Sequence, residues 1–169
     1  MKNETKGIAP LIIAVVVIVV VAVAGVGIYV ATRGGGTGGG GGDGTGGDVG
    51  SATSLSFDMT DTSSASTLTF KAKDIGSSDM KMRIEGTAAG YDIIYILNGE
   101  QQSAWMYMAA TGWVDVSSTF STLWSTWNTA FSGYQTDLAS WTSGSIVAGT
   151  VTISNIQVNP TLADTLFTH

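Results

Sequence analysis

Cysteine is absent from the chain, and its single histidine is His169. Without thiols there is no disulfide, no thiol nucleophile and no lipid-bearing N-terminal cysteine. Without an internal histidine, Ser–His and Cys–His nucleophile pairs and histidine-ligated zinc sites are excluded too. Cations are scarce. From Gly34 onward four basic residues (Lys71, Lys73, Lys81, Arg83) stand against twelve acidic ones, a net of −8. Such a surface repels a polyanion and argues against nucleic acid as a partner. Acid–base chemistry is left with carboxylate pairs such as Asp58/Asp61 or Asp115/Asp137. The carboxylates, however, are scattered over expected turns and wet strand faces. The chain is therefore expected not to be an enzyme and to need no metal or cofactor.

Against these absences stands one long apolar run. Ile8 to Val30 contains no charged residue. At the helical rise its length is roughly 34 Å, enough for a hydrocarbon core of about 30 Å. Pro10 falls in the first turn, where its missing N–H is harmless. Residues 8–32 are expected to form a single transmembrane helix behind a cytoplasmic leader, residues 1–7. Lys2 and Lys6 precede the span and only Arg33 follows it closely, which places the C-terminal part outside the cytoplasm. Two alternatives stand beside a retained signal anchor. One is prepilin-like cleavage after Gly7, although Ile12 stands where many pilins carry glutamate. The other is a cleaved signal ending near Ala22-Val-Ala24.

Residues 33–50 read as a Gly-rich linker, a coil whose reach is on the order of 20–25 Å. It lacks the Gly-Lys-Ser/Thr ending of a phosphate-binding loop. Residues 51–169 are expected to be one extracytoplasmic domain. Its first half alternates with period two: Leu55, Phe57, Met59; Leu68, Phe70, Ala72; Met80, Met82, Ile84. Tyr91–Leu97 is a fourth strand, more uniformly apolar and so expected to be central. Asn98-Gly99 signals a hairpin in which both positions tolerate positive φ. Ala104–Met108 and Trp113–Val116 complete an antiparallel meander. From Phe120 to Trp141 aromatic and leucine residues step by three and four, which is a helical face. Ser117 or Ser118 is the expected N-cap, and Gly133 is expected to divide the segment into two helices. Val151, Ile153, Ile156 and Val158 mark a closing strand or strand pair, stopped at Asn159-Pro160. Leu162, Leu166 and Phe167 are expected to return as a short terminal strand. The fold class is α+β: a curved antiparallel sheet, an unclosed half-barrel, with aromatic helices on its concave face.

The motifs Tyr95-Ile-Leu-Asn-Gly99, Trp105-Met-Tyr107 and Trp113-Val-Asp-Val-Ser117 resemble the central signature of LolA-like proteins, the lipoprotein-carrier superfamily. Ile153–Pro160, with Asp164 and Phe167, resembles that family's closing strand. The resemblance spans Ser54 to Phe167 and implies a half-barrel that binds acyl chains on its concave face. Met59, Met80, Met82, Ile84, Met106, Met108, Trp124, Trp127 and Phe131 are the candidate apolar lining, with the helices as a stopper hinged at Gly133. Methionine suits such surfaces because it is flexible and polarizable. The bland alternative is a well-filled core. Lys71, Lys73, Lys81 and Arg83 are the candidate contact to anionic lipid headgroups, or simply a solvated sheet face. The expected partners are thus the membrane, through the anchor, and a lipid or lipoprotein acyl chain. A pilin-like structural role is the competing reading.

Overall fold

The computed structural model describes residues 48–88, 90–139 and 141–169. The expected leader with Gly7, the span at 8–32 and the linker up to residue 47 lie outside them. Among the described residues no helix is long and apolar enough to cross a membrane.

Eight strands form one unclosed antiparallel sheet: β1 (Ser54–Asp61), β2 (Ser66–Lys73), β3 (Lys81–Ala88), β4 (Tyr91–Asn98), β5 (Ser103–Met108), β6 (Gly112–Asp115), β7 (Ile146–Ala148) and β8 (Val151–Val158). Their order is β6-β5-β4-β3-β2-β1-β8-β7. The first six follow the chain as a meander. The helix α1 (Phe120–Asp137), the one α-helix among the described residues, then carries the chain back, so that the β7–β8 hairpin adds beside β1.

Register turns the sequence alternation into continuous rows. Phe57, Phe70, Ile84, Tyr95, Met106 and Val114 stand opposite one another from β1 to β6 on the inner face. Leu55, Ala72, Met82, Leu97 and Ala104 form the neighbouring row. Both rows are apolar because side chains alternate between faces, and α1 covers this side with buried Leu123, Trp127, Phe131 and Tyr134. The outer face carries the intervening residues, among them Lys71, Arg83, Ile96 and Trp105 in one row.

Six local expectations are corrected. First, α1 passes through Gly133 unbroken, so there is one helix and not two. A Cβ at Gly133 would meet nothing within 4 Å. Its neighbours Phe131 and Tyr134 are clamped to the sheet, and their burial outweighs the weak propensity of one glycine. Gly133→Ala is accordingly expected to raise stability by about 0.5–1 kcal/mol, read as a higher urea midpoint; a fall would show that the glycine is needed there. Second, Ser117 does not cap α1. Its hydroxyl donates to the Ala104 carbonyl and accepts from the Ala104 N–H, while a 3-10 turn (Ser117–Thr119) leads into the helix.

Third, β4 is not central. Its second half is apolar on both sides because Ile96, on the outer face, is also buried. Fourth, the cover there is the segment Pro160–His169, whose Asp164–Phe167 forms a 3-10 turn, not a strand. Fifth, Gly99 is not among the glycines with positive φ; in this loop the positive φ is at Gln102 (51°). What Gly99 supplies is close approach: a Cβ would lie 2.8 Å from the Ser78 carbonyl and 2.9 Å from the Trp124 ring. Sixth, the domain begins before residue 51. Val49 is fully buried, and its carbonyl accepts from Gln135 Nε2 at 3.0 Å. Asp48 caps the turn Val49–Ser51 by accepting from the Gly50 N–H.

Candidate functional site

Eight of the nine candidate lining residues are buried on the inner side, at 0–6% exposure; Trp124 is half-buried. The sheet supplies Met59, Met82, Ile84, Met106 and Met108, with Met80 just before β3, and α1 supplies Trp124, Trp127 and Phe131. They do not line an empty cavity together. The space between sheet and helix is filled by rings, four of which were missing from the candidate set: Phe57, Phe70, Tyr95 and Tyr134. Phe57 stacks on Phe70 at 5.0 Å, and Trp127 packs edge-on to Phe70 at 6.0 Å and tilted against Tyr95 at 5.6 Å. Tyr134 meets both phenylalanines and donates its hydroxyl hydrogen toward Met59 Sδ at 3.1 Å. Among the strand residues only Phe57 carried a parity signal, since it shares the parity of Met59 on β1; β2 and β4, which hold Phe70 and Tyr95, contain no candidate lining residue.

The packing is polar-deficient at one spot. The Tyr95 hydroxyl and Trp127 Nε1, on touching rings, are buried without a hydrogen-bond partner among the described residues, as is Asp137 Oδ2. Buried tyrosine hydroxyls and indole N–H groups ordinarily find acceptors. Burial pushes the phenols of Tyr95 and Tyr134 well above their ordinary range, with Asp137 and Asp61 adding to the effect on Tyr134. Burial also raises the Asp137 carboxyl. At the edge of the interface Met80, Trp124, Phe131, Ser77, Asn128 and Gln135 border an open cleft of about 310 Å³.

On the outer face the four basic side chains form a two-by-two block, Lys71 opposite Arg83 and Lys73 opposite Lys81. Glu85 binds Lys71 and, at 2.7 Å, Arg83 Nε. Burial disfavours its charge, but the hydrogen bonds and charges of those two cations outweigh it and hold the carboxyl below its ordinary range. Asp164 lies 2.8 Å from Lys73 Nζ and 3.6 Å from Lys81 Nζ, and it too is held low, chiefly by Lys73. Beside the block the indole of Trp105 stacks with His169 at 3.5 Å, and Tyr107 packs tilted against Trp113 at 5.4 Å.

The carboxylates are occupied separately. Asp58 accepts from Thr69 Oγ1 and Asn155 Nδ2 on the outer face, whereas Asp61 accepts from Ser63 and Ser64. Asp115 accepts from the Ser117 N–H. Among the described residues no three acidic or histidine side chains gather as a metal site. Gly7 lies outside the described residues. In comparison with known proteins, the chain matches no family model, no curated protein and no solved structure.

Proposed function

We propose that the domain is a membrane-tethered, extracytoplasmic half-barrel that takes an apolar ligand with an acceptor head, such as a lipid or lipoprotein acyl chain, between sheet and helix. The observation that carries this reading is the pair of orphaned donors on Tyr95 and Trp127. Leaving a buried donor unmet costs about 1–3 kcal/mol, and the ester or carboxyl oxygens of such a ligand are acceptors of the kind these donors lack. The methionine-rich wall supports it, because methionine re-packs around varied shapes. So does the resemblance of the strand motifs to the lipoprotein carriers. In this reading α1 is a stopper, and each methylene buried beneath it contributes about 0.8 kcal/mol.

A second reading, a structural surface domain without ligand, is favoured by the interlocked rings of Phe57, Phe70, Trp127 and Tyr134. Native mass spectrometry on residues 48–169, with organic extraction of co-purified material, separates the two. The carrier reading expects a discrete added mass that extracts as lipid. It also expects Tyr95→Phe to hold that ligand less well while raising the stability of the empty domain by about 1 kcal/mol, since an unmet hydroxyl is removed. A clean empty mass that persists after incubation with lipids leaves the structural reading.

A further inference from the structure

We propose that the outer face of β2–β6 docks on an anionic lipid surface, and that the segment Pro160–His169 is a strap holding this face until lipid phosphates displace Asp164. The inference shares with the proposed function the expectation of a membrane tether, and it does not depend on α1 opening.

The first argument is the cation block. Like charges directly opposite on neighbouring strands destabilise a sheet, yet residues 34–169, with twelve acidic side chains, place all four of their basic ones in two such pairs. Glu85 compensates one pair from within the sheet. The other pair receives Asp164 from the strap. That carboxylate is 74% exposed, and exposed ion pairs contribute little, so a competing anion exchanges with it readily. A phosphate offers the same lysines more charge and more acceptor oxygens.

The second argument is the surroundings. On the same face Trp105 occupies the row of Lys71 and Arg83, and Tyr107 and Trp113 occupy the next row, that of Glu85; Trp113 is 36% exposed. Indole and phenol rings favour the headgroup level of a bilayer, while basic residues are drawn to anionic leaflets. A free phosphate would need only the cations. Glu85, Asp92, Asp115 and Asp164 offset the four cations on this side, so the face is near neutral while the rest of the domain is acidic. An anionic surface is repelled least here, and displacing Asp164 leaves the face with a cationic excess.

The third argument is how the strap is fastened. Arg83 Nη1 donates to the Leu166 carbonyl at 2.9 Å, Phe167 is buried at 5% exposure, and His169 lies on Trp105. Next to it Lys81, Asn98, Ser103 and Trp105 line a cleft of about 260 Å³, so the strap covers the face without filling it.

Amide hydrogen exchange on the full chain in nanodiscs tests this, comparing phosphatidylcholine alone with phosphatidylcholine plus phosphatidylglycerol. The anionic discs are expected to speed exchange at residues 164–168 by about tenfold, as local opening of the strap. Asp164→Asn is expected to speed it in neutral discs as well. Lys71→Glu, which leaves every strap contact in place, is expected to keep slow exchange in neutral discs and to blunt the response to anionic lipid. Unchanged strap exchange in anionic discs overturns the proposal. An equal response to inorganic phosphate in neutral discs also overturns it, in favour of a small-anion site. Exchange in α1 is read separately, so failure of the carrier reading is distinguishable from failure of this one.

Discussion

Trp127→Ala is expected to lower the unfolding free energy by about 3–5 kcal/mol, because it removes the largest fully buried side chain of the domain. The loss is large against the 5–15 kcal/mol typical of a whole domain. The indole sits where the helix meets the central inner row, against Phe70 and Tyr95. Both neighbours are strand residues locked in register, so neither can move far to fill the space. The removed N–H lacks a partner among the described residues, which offsets a little of the loss and places the expectation toward the lower end of the range. Urea unfolding followed by tyrosine fluorescence or far-ultraviolet circular dichroism would show a lower midpoint with an unchanged slope. A midpoint shifted by less than about 1 kcal/mol would mean that this helix contributes little to closing the core, contrary to the burial.

Gly86→Ala is expected to be comparably damaging, by about 3 kcal/mol, for a backbone reason. Gly86 lies within β3 between Leu68 and Ile93, with φ at +141°. A Cβ there would sit 2.1 Å from the Thr67 carbonyl oxygen and 3.1 Å from the Leu68 Cα. The obstacle is the main chain of a paired strand, which yields only if the β2–β3 ladder opens. Thermal unfolding of the variant, with exchange of the β2 and β3 amides, checks this. An intact ladder with a wild-type midpoint would refute it.

Gly86 also shows where the sequence was legible and where it was not. The alternation of Met82 and Ile84 with Lys81 and Arg83 gave strand, face and parity. Nothing in that pattern told that the next inner position needed an empty Cβ, since that depends on how closely β2 approaches. The strands of the meander were readable because period two is a local property. Helix α1 was misread at Gly133 because propensity is local, while the clamp by Phe131 and Tyr134 is tertiary. Period also held an unread clue in β8, where the apolar step lengthens from two to three between Ile153 and Ile156. There the pairing with β1 shifts, and Asn155 takes a φ of 53° and donates to Asp58 at 2.7 Å. Of the candidate site, the inner face was legible residue by residue, but its filling by Phe57, Phe70 and Tyr95 required the register. The cation block was legible as a composition; its two-by-two geometry and the approach of Asp164 across 91 positions of chain were not.

The two margins of the sheet have a consequence of their own. An open sheet offers unpaired N–H and C=O groups on its first and last strands, a template on which further copies can add. Here those strands are β6, with four residues, and β7, with three, whereas five of the six between them have eight. A neighbour arriving at either margin finds too short a ladder to grow on. Many copies crowded on one surface can therefore stay separate without the sheet ever closing into a ring.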